Sequence, residues 1–188
     1  MRRGADLLAV QPERAGDEQA ISRVHAIAFG AGTGRSGNAE VRLVEQLRGS
    51  AAWVPELSLV ARYEGEVIGH LLFSRAAIET TDGDIDVLAL APLAVLPGFE
   101  PAFAGTRLMR AGLREAHRLG FRGVVVLGHP KYYRRFGYVS AADRGIRYPA
   151  PVPHAAWMMI ELVPGGLSGV TGVVRYPPAF SMVMAVRE

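Results

Sequence analysis

The chain of 188 residues contains no cysteine. Disulfides and thiolate metal sites are therefore excluded, and the absence fits a reducing cytoplasm. Also lacking is any apolar run near the ~20 residues that a membrane span requires, and the N-terminus shows no apolar core of a secretory signal. The expectation is a soluble, cytoplasmic protein with one domain over residues 1–188, of which 1–6 form a loose tail. Such a length buries an ordinary core without staples. Lysine is nearly missing: Lys131 stands alone against 20 arginines. A bias spread so evenly reflects genome composition rather than function. The five histidines show no paired metal spacing, which argues against a catalytic metal.

What is present is unevenly placed. The formal net charge is +3, yet between Gly105 and Arg135 eight basic residues face a single acid, Glu115, a net +7 that leaves the remainder at −4. At helical spacing Arg107, Arg110, Arg114 and Arg118 share one face. That stripe is either a solvated surface or an anion-binding one, since like charges repel one another without a partner.

Leu7 to Val10 reads as a short first strand. Asp17 can cap a helix carrying Ile21, Val24, Ile27 and Ala28 at helical spacing, and Asn38 a second with Val41, Val44 and Leu47 on one side. The glycine-rich stretch 30–37 between them is a flexible loop without the Gly-Lys-Ser/Thr ending of a nucleotide-binding one. From Leu57 the period becomes two. Strands over 57–63, 66–79 and 85–96 are joined by Glu64-Gly65 and Asp82-Gly83 turns. Pro92 cannot donate a ladder hydrogen bond, so it marks an edge or a bulge. There follow a helix over 103–119, packed through Leu108, Ala111, Leu113 and Ala116, a strand over 123–128 and a short helix ending in Tyr132-Tyr133-Arg134-Arg135-Phe136-Gly137-Tyr138. A proline-rich link at 149–153 precedes final strands over 158–163 and 181–186.

The order over 86–138, with a phosphate-sized turn between the strand and the long helix, resembles the GNAT acyltransferase superfamily. The segments Gly128 to Tyr138 and 164–180 are most similar to its YhbS-like branch, and the resemblance covers residues 5–186. It implies an α/β (α+β) fold whose mixed central sheet is splayed between strands 4 and 5 and flanked by helices. It also implies transfer of an acetyl or acyl group from acetyl-CoA or another acyl-CoA to a primary amine of a small molecule, by a monomer or homodimer.

Site residues follow from the same resemblance. The backbone of Leu93, Ala94 and Val95 would pair with the pantetheine arm, and Gly105, Thr106 and Arg107 would meet the diphosphate. Where the superfamily has Gln/Arg-x-x-Gly-x-Gly/Ala, this chain has Glu100-Pro101-Ala102-Phe103-Ala104-Gly105. Pro101 removes one N–H, Phe103 adds a ring and Glu100 adds a negative charge, so CoA is expected to bind weakly or in a shifted pose. Tyr133 matches the tyrosine that protonates the departing thiolate in a Tyr-x-x-x-Gly-Phe context, with Tyr132 as the fallback. For the base, His70 and Asp86 are the leading candidates, beside Glu79 and Asp84. Two other functions remain open: a GNAT-fold transferase that takes its acyl group from aminoacyl-tRNA, held through Arg107, Arg110, Arg114 and Arg118, and a catalytically silent binding module.

Overall fold

Alternation of apolar residues from Ser58 onward builds a long antiparallel meander. Strand β2 (Ser58–Tyr63) turns at Glu64 and Gly65, both with positive φ, into β3 (Glu66–Thr80), and β3 returns as β4 (Gly83–Val95). This is the tight-turn geometry that favours glycine at the second position. In the computed structural model, which describes residues 8–30, 37–99 and 101–184, β1 (Leu8–Pro12) adds antiparallel to β2. The chain crosses over through α3 (Pro101–Arg118) to β5 (Gly123–Leu127), which pairs parallel to β4. Strands β6 (Val139–Ser140) and β8 (Trp157–Glu161) complete that side. β7 (Ile146–Arg147) and β9 (Gly172–Arg175) pair with each other, and β9 also lies along the far half of β3. The sheet is mixed, in the order β1-β2-β3-β4-β5-β8-β6, as the α/β (α+β) expectation requires.

Side-chain alternation assigns the faces. A Cβ on Gly112 of α3 would stand 3.0 Å from Leu71 and Phe73, so the odd-numbered side of β3 faces this helix. His70, one residue on, meets His25 of α1 (Glu18–Gly30) on the opposite face. Helix α3 therefore lies on one side of the sheet, and α1 with α2 (Asn38–Arg48) on the other. The buried stripe of α3 is Ala104, Leu108, Met109 and Ala116. Of the four residues expected there, Leu108 and Ala116 are buried whereas Ala111 and Leu113 are only half-buried, because glycine at 112 draws the helix down along its 104–108–112–116 line.

Several local expectations change. Asp17 occupies the cap position of α1 through its carbonyl, which accepts from Ile21 N at 2.9 Å, but its carboxylate accepts from Arg14 N and pairs with Arg62. For α2 the cap is Gly37 rather than Asn38. Its φ is 64°, and a Cβ there would stand 2.7 Å from the Ala26 carbonyl oxygen, so only glycine fits. The segment 181–186, expected as a strand, is helical where it is described: α5 (Ser181–Met184). Pro177 and Pro178 withhold two ladder donors, and Pro178 opens a turn of 3-10 helix that leads into α5. The last ladder position is taken instead by β9, inside the stretch 164–180 that separates the two expected final strands. The tail 1–6 and most of the glycine-rich loop lie outside the described residues, as do residues 185 and 186. No helix among the described residues is long and apolar enough to cross a membrane.

Candidate active site

Pro92 decides where the site lies. Strand β4 is central, between β3 and β5, so the edge alternative fails and the bulge holds. Leu71 pairs with Leu93 but Phe73 with Leu90, which places one extra residue on β4 at the cis Ala91-Pro92 step. The parallel ladder to β5 covers only Leu88 with Val124 and Ala89 with Val125. Beyond it β4 continues to Val95, while β5 turns its remaining pairing toward β8. The two strands separate as expected, leaving the β5-facing edge of Leu90 to Val95 without a strand partner among the described residues.

Two cavities, each about 230 Å³, occupy that opening. The first is lined by Leu93, Ala94 and Val95 of β4, Gly105 of α3, and His129, Tyr132 and Tyr133 after β5. The second lies toward α1 and α2. Phe29, Glu40 and Leu43 form one wall, the bulge from Leu90 to Leu93 another, and Val126 to His129, Tyr133 and Val183 close it. Leu93, His129 and Tyr133 are common to both.

Tyr133 is held there by its neighbours. It belongs to α4 (Pro130–Tyr133), and its ring meets those of Tyr132 and Tyr138 edge-on at centroid distances of 5.1 and 5.5 Å. Gly128 lets the ring approach the backbone, since a Cβ there would stand 2.5 Å from Tyr133 Cε2. Gly128→Ala should therefore swing the ring out of place. An ångström of misplacement costs on the order of a hundredfold in rate, so kcat measured by CoA release is expected to fall at least tenfold with little loss of acetyl-CoA affinity. An unchanged kcat would show that ring position does not matter. Tyr132 lines only the first cavity. Its hydroxyl is buried without a hydrogen-bond partner, close against Gly105, and burial pushes its pKa up.

Of the residues expected to hold the acyl donor, Leu93, Ala94, Val95 and Gly105 converge on the first cavity. Thr106 and Arg107 do not line it. Arg107 instead donates to the Leu8 carbonyl at 2.6 Å, tying α3 to β1. Helix α3 starts at Pro101, where a missing N–H costs no intrahelical bond because first-turn donors have no partner within the helix. Glu100 and the side chain of Phe103 lie outside the described residues.

The base candidates are scattered. His70 is fully buried between α1 and β2, away from both cavities. Its Nδ1 lies 2.8 Å from His25 Nε2, and its Nε2 lies 2.8 Å from Ser58 Oγ and 3.5 Å from Glu13. Asp86 is exposed at the opposite end of β4, three residues before the ladder to β5 gives out. Glu79 and Asp84 both pair with Arg175, at the same far end. None of the four lines the opening. The carboxylate that does is Glu40, which the apolar pattern of α2 concealed. Glu40 is in step with Leu43 and Leu47 on the buried face, and an acid on that stripe was the available signal. His129, considered only for metal spacing, lines both cavities. Among the described residues no group of three or more His, Asp or Glu side chains could hold a metal ion.

The acetyltransferase (GNAT) family model matches residues 32–138, more than half of the chain. The chain belongs to the GNAT family. It is 39% identical over 166 residues to the uncharacterized N-acetyltransferase YjhQ of Escherichia coli K12, covering 85% of this chain and 86% of that one. With the uncharacterized N-acetyltransferase YhbS of the same strain it shares 34% over 145 residues, covering 77% and 84%. The crystal structure of YhbS from E. coli in complex with CoA superposes with a TM-score of 0.83 at 31% identity, over 93% of this chain and 92% of that chain. A GNAT acetyltransferase from Brucella melitensis in complex with acetyl-CoA gives 0.74 at 30% identity, over 92% and 97%. The chain is thus a GNAT enzyme of the YhbS-like branch, an N-acyltransferase.

Proposed function

We propose that this GNAT chain moves an acetyl or other acyl group from CoA to the primary amine of a small molecule, with Tyr133 as the acid for the departing thiolate. The observation that carries this reading is Tyr133 itself, which lines both the cavity along the open β4 edge and the one beneath α1 and α2. An acyl donor lying along Leu93, Ala94 and Val95 would bring its thioester to the shared wall, where an amine from the second cavity can reach it. Two strands held apart by a bulge present backbone groups that an amide-bearing arm can satisfy. The amine nitrogen attacks the thioester carbonyl, a C–N bond forms as the C–S bond breaks, and the Tyr133 hydroxyl gives its proton to the sulfur. The nitrogen's surplus proton passes through water to the tyrosinate, which restores the tyrosine.

The relatives solved with CoA and acetyl-CoA support this donor, and the chain keeps a small residue, Gly105, where the donor cavity meets α3. No observation favours aminoacyl-tRNA. Of the arginine stripe, Arg107 is engaged with the Leu8 carbonyl and Arg118 with Glu115, leaving Arg110 and Arg114 as its exposed remainder. Calorimetry with acetyl-CoA, followed by thiol release in the presence of amines, tests the proposal. Binding and amine-dependent release of CoA are expected. Absent binding of acetyl-CoA, together with steeply salt-dependent binding of tRNA, would replace the donor.

A further inference from the structure

The second cavity describes its occupant. Its walls are largely apolar, with Phe29, Leu43, Leu93 and Val126 among them, and Glu40 is the only carboxylate among the described residues that line it. Among the described residues no lysine or arginine lines it and no ion pair engages Glu40. Past Leu90, Ala91, Leu127 and Val183 it adjoins a smaller pocket walled by Tyr148, Tyr176 and Phe180, whose rings pack at centroid distances of 5.6 and 4.7 Å. Phe180, Val183 and Met184, from the turn before α5 and from α5 itself, thus form one wall of this space.

Resting on the acyl-transfer reading above, we infer that the acceptor is a primary amine carried on an aryl or alkyl body, its ammonium held by Glu40 and its body lying toward the aromatic wall. A sugar or polyol amine would press most of its hydroxyls against apolar side chains, because beside Glu40 the polar side-chain groups of the lining are those of His129 and the tyrosines. A polyamine would bring a second ammonium to a wall with no second carboxylate. An apolar body gains about fourfold in affinity for each methylene it buries. Glu40 sits in the first turn of α2, where the helix dipole favours an anion. The ammonium passes one proton to Glu40, directly or through one water, and the neutral amine attacks the thioester. Glu40 returns that proton to solvent between turnovers.

The test is steady-state thiol release with acetyl-CoA and four amines: 2-phenylethylamine, n-hexylamine, glucosamine and spermidine. The first two are expected to exceed the others in kcat/KM at least tenfold. Glu40→Gln should raise the KM for 2-phenylethylamine at least tenfold while acetyl-CoA affinity by calorimetry stays within about twofold, and Glu40→Asp should recover part of the loss. A preference for glucosamine or spermidine, or an unchanged KM in the Glu40→Gln variant, overturns the inference. If acetyl-CoA binds and is turned over with those polar amines, acyl transfer stands and only the acceptor class is lost. If acetyl-CoA does not bind at all, both readings fall.

Discussion

Tyr133→Phe is expected to lower kcat by about a hundredfold, the low end of what a positioned acid contributes, equivalent to roughly 2.7 kcal/mol of barrier. The thiolate that leaves the thioester carries a full charge unless a proton meets it, and Tyr133 is the tyrosine whose ring lines both cavities. Acetyl-CoA affinity should stay within about twofold, because the hydroxyl acts on a charge that exists only as the C–S bond breaks. Stability should also hold. The ring contacts with Gly128, Tyr132 and Tyr138 survive in phenylalanine. Steady-state thiol release, calorimetry and a thermal melt measure the three quantities separately. Tyr132→Phe is the control. Its hydroxyl lies against Gly105 in the donor cavity, so that variant should alter acetyl-CoA affinity more than kcat. The reverse pattern would transfer the acid role to Tyr132.

Local chemistry made the donor side of the site legible. A proline inside an otherwise alternating strand has few solutions, and Pro92 sits at the bulge where β4 and β5 part. Tyr133 was singled out by the resemblance of its segment to the family motif, without knowing what faces it, and it lines both cavities. The acceptor side depends on long-range packing. Glu40 reaches the cavity because α2 lies over the bulge, and nothing within a dozen residues of Glu40 reveals that. The fully buried His70 was a plausible base from its place on strand three alone; its partners His25, Ser58 and Glu13 lie 45, 12 and 57 positions away. The end of the chain failed for a different reason. The segment 181–186 is apolar in a way that suits a strand or a helix, and the two prolines before it, with the β3 edge already taken by β9, decide between them.

That buried histidine leads to the second large effect: the protein is expected to lose stability steeply as pH falls below the ordinary imidazole value of 6.5. Ser58 donates to Glu13, so its oxygen is left to accept from His70 Nε2; His70 Nδ1 then accepts from His25 Nε2, and His25 Nδ1 is a buried acceptor without a partner. This chain of bonds requires a neutral His70 ring, and burial disfavours the charged form of His25. Burial pushes His25 well below its usual value, reinforced by His70, and pushes His70 down as well, with Glu13 only partly opposing. Because the folded values lie under the unfolded one, the unfolded chain takes up protons first. The stabilisation is complete above pH 6.5 and declines below it, at up to about 1.4 kcal/mol per pH unit for each imidazole. Glu13 acts in the same direction at lower pH. Burial raises it, but hydrogen bonds from His70, Arg48 and Ser58 outweigh that and hold it at about 2, so its contribution disappears between pH 4.5 and about 2. Urea midpoints measured from pH 8 to pH 5 should fall as the pH drops below 6.5, and His25→Phe should make that fall shallower. A flat profile, or a slope that His25→Phe leaves unchanged, would mean that the two rings do not share a water-free site and that α1 is not sealed onto the sheet through them.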